Sequence, residues 1–245
     1  MKAFTLLQAF ERPDEWLTCR ELSRRANMPE ASGYRLVQSL QATGAVIKGP
    51  NGRYRPGMLL FDLSKGVSVE DLLRTSAATV ARDIATRYKV TVQMGIFEDG
   101  MVSYLAVQGR AKVPSRAGAQ LEAYCSGLGK VLLASLSDAD LEEFLAEGEL
   151  IPLTAHTIVD KDQLRAELMR VREQGYAIDD REIQLDLRCV AVPIRNKQGA
   201  VVAAISSSSH PGALTPLRQV EVRHALHLAA EQISARVYPR EDAYA

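Results

Sequence analysis

The sequence lacks several features that would assign a chain to a class at once. It has only three cysteines, Cys19, Cys125 and Cys189, which lie far apart and include no Cys-x-x-Cys pair. That spacing argues against a disulfide framework and against a cysteine-based zinc site. No apolar run approaches the roughly 20 residues that span a bilayer, and the first residues show no secretion signal. We therefore expect a cytoplasmic chain without a membrane partner.

The sequence also lacks a net charge, because 30 Lys and Arg side chains balance 30 Asp and Glu side chains. Taken alone, that balance argues against a nucleic-acid partner, since phosphate binding needs an excess of basic groups. The total hides a division, however. Residues 1–66 hold ten basic and six acidic side chains, a net of +4, and residues 67–245 hold a net of −4. Such an asymmetry indicates two regions with different roles.

Residues 2–55 follow a pattern of short helices and a hairpin. Thr18 and Glu21 form a capping box that opens the second helix, and Gly44 ends the third. Asn51-Gly52 predicts the tight turn of a two-stranded hairpin. This order of elements is typical of a winged helix-turn-helix, whose third helix enters the DNA major groove. The spacing of apolar residues places the three helices at residues 2–11, 19–26 and 29–43.

Basic side chains crowd the same segment. Seven basic and two acidic residues lie between Trp16 and Arg55, where phosphates would lie if the third helix were in a groove. Glu30, at the start of that helix, is unfavourable near phosphates unless it accepts from a cytosine amino group. The third helix would present Ser32, Gly33, Tyr34 and Arg35 to DNA. The remaining DNA-binding candidates are Arg24, Arg25, Lys48, Arg53 and Arg55.

Beyond residue 66 the pattern alternates between helices and strands. Two pairs of predicted strands, 91–97 with 101–107 and 188–195 with 200–206, are each joined by a short polar turn. Strands joined in this way lie antiparallel, so we predict an α+β domain with helices packed on an antiparallel sheet. We divide the chain into a DNA-binding domain with its connector at 1–66 and a second domain at 67–245. The predicted helices of the second domain span residues 69–88, 126–135, 138–147, 161–174 and 215–237.

Motifs along nearly the whole chain resemble those of the IclR family of bacterial transcription regulators. In the first domain they run from Leu22-Ser23-Arg24-Arg25-Ala26 to Gly52-Arg53-Tyr54. In the second they include Ser126-Gly127-Leu128-Gly129-Lys130, Gln174-Gly175-Tyr176-Ala177 and Arg188-Cys189-Val190-Ala191. Each fragment alone is a weak signal, and their order and spacing carry the resemblance.

The resemblance implies a winged-helix DNA-binding domain joined by a helix to an effector-binding domain with a GAF-like sheet. It also implies that a small organic or aromatic acid modulates operator binding and thereby controls catabolic genes. The implied partners are double-stranded DNA, a small carboxylic acid and further copies of the chain, in a homodimer or homotetramer. The implied effector-binding residues are Gly127, Leu128, Asp179, Cys189, Ser206 and Ser208. The sequence departs from the family pattern at Glu122-Ala123-Tyr124-Cys125, where a Leu-His pair is usual, so the class of ligand stays open.

The residues from Ser126 to Lys130 also support an anion site directly. They open a predicted helix, where free N–H groups and the positive end of the helix dipole suit a carboxylate. A nucleotide fits poorly, because Tyr124 and Val131 stand where a Walker motif needs Gly and Ser or Thr. Tight helix–sheet packing is the alternative explanation for the two glycines.

Three other interpretations remain open from the residues alone. An enzyme of GAF-like fold could use Cys189 or Cys125 as a nucleophile, although neither has a His nearby in sequence. A ligand-independent DNA-binding protein could use its second domain only to oligomerise. His224 and His227 could share a metal, but no third ligand is evident, so we predict neither a metal nor a cofactor.

Overall fold

The computed structural model of the chain describes residues 2–12, 14–109 and 113–239. The chain forms two compact units, Met1–Ser68 and Val69–Ala245. The boundary expected from the sequence, after residue 66, lies two residues earlier. Within the described part of the chain, each helix is too short or too polar to cross a bilayer.

The first unit combines short helices with a small antiparallel sheet. Its helices are α1 (Lys2–Gln8), α2 (Cys19–Arg25), α3 (Glu30–Ala42) and α4 (Met58–Ser64), and its strands are β1 (Leu17–Thr18), β2 (Val46–Lys48) and β3 (Arg53–Pro56). Strand β3 lies between β1 and β2. This order confirms the predicted winged helix-turn-helix. It also adds β1, which is too short to show a period in the sequence.

Local signals in the sequence fix most of these elements. The capping box at α2 is present, with the Glu21 N–H donating to Thr18 and the Thr18 N–H donating to Glu21. Gly44 follows α3 in the left-handed region at φ +79°, as expected for a glycine that ends a helix. The Asn51-Gly52 turn is present as predicted, within the segment Pro50–Gly52 between β2 and β3. Asn51 and Gly52 both lie in the left-handed region, at φ +56° and +66°, and the Arg53 N–H donates to the Pro50 carbonyl, as in a two-residue type I′ turn.

The second unit is built on one six-stranded antiparallel sheet. Its strands are β4 (Thr91–Glu98), β5 (Met101–Gln108), β6 (Gln120–Glu122), β7 (Ala177–Asp180), β8 (Arg188–Arg195) and β9 (Val201–Ser209). Its helices are α5 (Val69–Tyr88), α6 (Gly127–Leu133), α7 (Asp138–Ala146), α8 (Lys161–Gln174) and α9 (Pro216–Val237). The strands lie in the order β6-β5-β4-β9-β8-β7. The predicted α+β architecture is confirmed.

Helices cover both faces of this sheet. Alternate residues of β8 point to opposite faces, as in any strand. Val190, Val192 and Ile194 pack with the apolar faces of α5 and α9, whereas Ala191 packs with α6 and α8. The buried polar residues of the second unit include several on strands β4, β7 and β9, and these determine the site described below.

Candidate functional site

The third helix of the first unit presents part of the expected DNA-binding surface. Tyr34 and Arg35 are exposed and Ser32 is half-buried. Glu30 is exposed and forms an ion pair with Arg20 at 3.0 Å, so its carboxylate is locally balanced. The expectation that Gly33 faces DNA is wrong. Gly33 is buried, and a Cβ there would lie 1.9 Å from the Ser23 hydroxyl, because α3 crosses α2 at this point.

Arg25 differs from the other basic candidates because its guanidinium pairs with a buried carboxylate. It donates to both carboxylate oxygens of Glu15, at 2.9 and 3.0 Å, and to the Ala9 carbonyl at 3.0 Å. Glu15 is buried, so this pair anchors α2 to the segment before β1. The structure therefore gives Arg25 a structural role, whereas Arg24 is exposed.

The basic residues of the hairpin are arranged around Trp16. Arg53 donates to the Trp16 carbonyl at 2.9 Å, and the Arg55 guanidinium lies 4.8 Å from the centre of the Trp16 ring. A cation over an aromatic face is attracted to the ring and loses conformational freedom. Lys48, Arg53 and Arg55 are all exposed. These contacts hold two hairpin arginines in defined positions while their charge stays accessible.

In the second unit, strand register brings polar residues from four strands to one face of the sheet. Asp179 on β7 is opposite Cys189 on β8, and Cys189 is opposite Ser208 on β9. Ser206, two residues earlier on β9, is opposite Gln93 on β4. Residues two apart on a strand share a face. The register therefore places these five side chains side by side, under α6.

All six residues that the resemblance implied for effector binding line one cavity at this place. They are Gly127, Leu128, Asp179, Cys189, Ser206 and Ser208. Ser126, from the anion site expected at Ser126–Lys130, also lines the cavity. The lining residues that were not predicted are Gln93, Tyr104, Pro114, Ser115, Ile183 and Leu187. The free volume of the cavity is about 10 Å³, close to the volume that one water molecule needs. A larger ligand therefore requires the wall to move.

A chain of hydrogen bonds crosses the floor of the cavity. Gln93 Nε2 donates to Ser115 Oγ at 3.1 Å, and Gln93 Oε1 accepts from Ser206 at 3.1 Å and from Ser208 at 2.9 Å. The Cys189 Sγ lies 2.9 Å from Ser208 Oγ and 3.5 Å from Asp179 Oδ2. These polar groups are buried and partner one another, which is what a buried polar network needs in order to be stable.

Asp179 is the carboxyl group that lines the cavity. It is fully buried, and its Oδ1 accepts from the Glu182 N–H at 2.7 Å. Burial raises the pKa of Asp179 to about 6, although that N–H and the nearby Lys130 charge oppose the rise. A carboxyl group with that pKa carries a proton at mildly acidic pH. It can then lie beside an anionic ligand without repelling it.

The expected helix start at the cavity is less suited to an anion than the sequence indicated. Helix α6 has only seven residues, and the Ser126 hydroxyl already accepts from the Gly129 N–H at 3.0 Å. Lys130 is 1% exposed and pairs with Glu182 at 2.5 Å and Glu167 at 3.1 Å. Its ammonium group therefore holds α6 to its neighbours and is not a donor to a cavity ligand.

The cysteines do not resemble activated nucleophiles. Burial, with a smaller contribution from Asp179, raises the pKa of the Cys189 thiol well above its ordinary value. Burial likewise raises the pKa of Cys125 to about 12, again with Asp179 contributing. A nucleophilic cysteine needs a lowered pKa, because the thiolate is the reactive form. Both thiols are protonated at neutral pH.

Two further features of the second unit are less suited to bind a ligand. An open pocket of about 300 Å³ lies beside α6, between Arg172 and Arg195. Those guanidinium groups donate to backbone carbonyls, Arg172 to Ala134 and Arg195 to Gly199, so they already have partners. His224 and His227 both lie on α9. Among the described residues, no group of three His, Cys, Asp or Glu side chains could hold a metal ion.

Comparison with known proteins points to a single family. The family model described as the IclR helix-turn-helix domain matches residues 1–49, and that of the bacterial transcriptional regulator IclR C-terminal matches residues 66–235. The HTH-type transcriptional regulator KdgR of Dickeya chrysanthemi is 31% identical over 239 residues. That match covers 96% of this chain and 78% of KdgR.

Solved structures show the same architecture. The crystal structure of the Thermotoga maritima IclR is similar at a TM-score of 0.63 and 29% identity, covering 96% of this chain and 97% of that one. An IclR homologue from Microbacterium hydrocarbonoxydans, crystallised with 4-hydroxybenzoate, is similar at a TM-score of 0.64 and 24% identity. That match covers 96% of this chain and 97% of the other. At that identity the similarity concerns the fold.

Proposed function

The chain belongs to the IclR family of bacterial transcriptional regulators, and from that premise we propose that a small carboxylic acid bound in the second unit controls its binding to operator DNA. The cavity under α6 carries this proposal. Six residues between Gly127 and Ser208 meet there, although they come from one helix and three strands. A cleft with an apolar wall and a few convergent polar groups suits a small ligand.

DNA binding is assigned to the first unit. The proposed contacts are Arg24, Ser32, Tyr34, Arg35, Lys48, Arg53 and Arg55, of which all except Ser32 are exposed. Basic side chains beside a groove-inserted helix bind phosphates, and Arg35 or Tyr34 can also reach base edges. The partner is therefore duplex DNA, and we expect the chain to act in the cytoplasm, where that DNA lies.

We also propose that the chain acts as a homodimer or homotetramer. The exposed apolar side chains of α4, Met58, Phe61 and Leu63, support self-association because they gain from removal from water. A symmetric dimer would bind a pseudo-palindromic operator. Light scattering of the full chain separates dimer from tetramer.

A regulator accounts for the cavity better than an enzyme does. The chemistry of a cysteine nucleophile needs a thiolate, and burial raises the pKa of both Cys125 and Cys189. A ligand-independent DNA-binding protein would have little use for Asp179, a carboxyl group buried in a polar cavity. Removing a carboxyl group from water carries a desolvation cost, which dominates the pKa of Asp179 despite its hydrogen bonds, and a site with a function accounts for that cost.

Two measurements on the full-length chain test the proposal. Selection from a random duplex library should enrich a pseudo-palindromic sequence, and the absence of any enriched sequence would contradict DNA binding. Acetate, pyruvate, benzoate and 4-hydroxybenzoate are then added separately, and the thermal midpoint is measured. At least one acid should raise it, because a ligand that binds the folded state stabilises that state. If none does, the ligand-independent alternative is favoured.

A further inference from the structure

The floor of the cavity contains a chain of four side chains, Gln93, Ser208, Cys189 and Asp179. Three contacts join them, at 2.9 Å between Gln93 and Ser208, 2.9 Å between Ser208 and Cys189, and 3.5 Å between Cys189 and Asp179. Each contact needs one hydrogen. A hydroxyl and a thiol each supply only one hydrogen, whereas the amide oxygen of Gln93 and an ionised Asp179 supply none.

Counting hydrogens along this chain shows that one is missing when Asp179 is ionised. The Ser208 hydrogen fills the contact with Gln93 Oε1. The Cys189 hydrogen can then fill the contact with Ser208 or the contact with Asp179, but not both. A proton on Asp179 supplies the third hydrogen, and the chain is then complete, with each group donating towards Gln93.

The orientation of the Gln93 amide determines this direction. In the structure Nε2 donates to Ser115 Oγ at 3.1 Å, and Oε1 accepts from Ser206 and Ser208. If the amide were rotated, Nε2 would donate to Ser208 and the hydrogens would all point towards an ionised Asp179. All three contacts are therefore filled in two cases only: Oε1 faces Ser208 and Asp179 is neutral, or Nε2 faces Ser208 and Asp179 is ionised. In the structure Oε1 faces Ser208, which goes with neutral Asp179.

Burial favours the neutral form of Asp179, whereas two backbone N–H groups, the Cys189 thiol and the Lys130 charge favour the ionised form. Burial dominates and raises the pKa of Asp179 to about 6, so the protonated state is accessible at mildly acidic pH. The titratable groups that act on it are Lys130 of α6 and Glu182 of the loop after β7, with Cys189 of β8, Tyr104 of β5 and Cys125 before α6. The Lys130 charge is largely offset, because it pairs with Glu182 and Glu167.

We propose that the cavity binds a carboxylate ligand together with one proton, and that this proton lies on Asp179. Gln93 stabilises the proton there through the hydrogen bonds of Ser208 and Cys189. This inference rests on the proposed function, since it concerns the same cavity. A negative ligand beside a buried carboxylate would be repelled, and a proton on Asp179 removes the repulsion and provides a donor. The cavity then selects a monocarboxylate and takes up the proton from solvent. Gln93 is a positioning residue in this scheme, because it acts through its neighbours.

A titration of Asp179 in the full-length, ligand-free chain tests the scheme first. The side-chain carbon of Asp179 is followed by NMR against pH, and Asp179→Asn identifies its signal. Ser208→Ala and Gln93→Met each free the Cys189 hydrogen to donate to the carboxylate. Both should reduce the proton affinity of Asp179 roughly tenfold, which is about one pKa unit. A merely structural role for Gln93 would not shift the titration of Asp179 in this direction.

The strand itself provides the matched control. Ser207 is adjacent to Ser208 and fully buried, but it lies on the opposite face of β9 and its Oγ has no hydrogen-bond partner among the described residues. Ser207→Ala should leave the titration of Asp179 unchanged. The proposal is overturned if Ser208→Ala and Gln93→Met also leave it unchanged, or if they raise the proton affinity.

Calorimetry with 4-hydroxybenzoate provides the second test. At pH 7.5, in two buffers with different heats of ionisation, the wild-type chain should take up close to one proton per ligand, and Asp179→Asn should take up none. Binding without proton uptake would overturn the proposal. If 4-hydroxybenzoate does not bind, this acid is not a ligand of the cavity. The titration of Asp179 without ligand then shows in which direction the hydrogen bonds between Gln93 and Asp179 run.

Discussion

Gly33 of the third helix packs directly against Ser23 of the second. A Cβ at position 33 would lie 1.9 Å from Ser23 Oγ and 3.0 Å from its Cβ. Ser23 is fully buried, and its hydroxyl donates to the Cys19 carbonyl at 2.8 Å. The close approach of α2 and α3 therefore depends on a residue without a side chain, at the point that sets the angle of the proposed recognition helix.

Replacing this glycine should separate the two helices. We expect Gly33→Ala to lower the free energy of unfolding by about 1–3 kcal/mol, as overpacking of a core does. Ser23→Ala in the same chain should recover part of the loss, because it removes the nearest atom. Chemical denaturation of both single variants and the double variant measures the coupling. Strictly additive effects would show that the two residues do not meet in solution.

Substitution of Arg25 should affect folding, whereas substitution of Arg35 should affect DNA binding. Arg25→Ala leaves the buried Glu15 carboxylate without its guanidinium partner, so it should lower the thermal midpoint. Arg35→Ala should leave the midpoint unchanged, because Arg35 is exposed. If Arg35 contacts a phosphate, its loss should reduce the dependence of log affinity on log salt by about 1. Fluorescence anisotropy on the selected duplex measures that slope, and an unchanged slope would remove Arg35 from the interface.

Lys130 should matter for stability. Lys130→Met leaves two carboxylates, Glu182 and Glu167, without their buried cation and should cost about 3–5 kcal/mol of unfolding free energy. Adding Glu182→Gln should recover part of that cost. Lys65→Met is the control, because Lys65 pairs with Asp62 at the surface and such pairs contribute little. Equal losses for the two lysines would contradict the buried ion pairs.

The buried carboxyl of Asp179 should give the stability of the chain a recognisable pH dependence. Its pKa is raised from 3.8 to about 6 on folding, so the folded chain holds a proton that the unfolded chain has released. That stabilisation is complete below pH 3.8 and is lost as the pH rises through 6. Burial also raises the pKa of Glu182 to about 7, so Glu182 likewise contributes stability that is lost as the pH rises.

Asp179→Asn isolates this contribution. Between pH 5 and pH 8 the wild-type chain should lose about 1.4 kcal/mol more unfolding free energy than the variant, which is the difference expected from these two pKa values. Urea denaturation at both pH values measures it. Parallel pH profiles for the two proteins would mean that Asp179 titrates normally in the folded state.

Elements set by local pattern could be predicted from the sequence. The helices Val69–Tyr88 and Lys161–Gln174 and the strand Arg188–Arg195 were predicted to the residue, because apolar spacing and neighbouring turn residues define them. Strands β1, β6 and β7 were missed. Each has two to four residues, too few for a period, and each exists because a neighbouring strand pairs with it.

The site shows the same limit. The resemblance implied six cavity residues, but Gln93 was missed, since its partner Ser206 lies 113 positions away. Gln93 was visible only as one polar residue in a strand of largely apolar neighbours. Lys130 is the last residue of the segment Ser126–Lys130, which the sequence favoured as an anion site at a helix start. Its partners Glu182 and Glu167 lie 52 and 37 positions away, and only the folded structure shows that they neutralise it.

If the cavity controls DNA binding, an acid bound there must change the affinity of the chain for DNA. The deciding measurement is the affinity of the full-length chain for the selected duplex, with and without the acid that raises its thermal midpoint. A coupling of the usual size between the acid and DNA should change the dissociation constant for the duplex at least about fivefold. Ser206→Ala should bind the duplex as the wild type does without the acid and should respond less to it. If the acid leaves the dissociation constant of the wild-type chain for the duplex unchanged, the cavity does not control DNA binding.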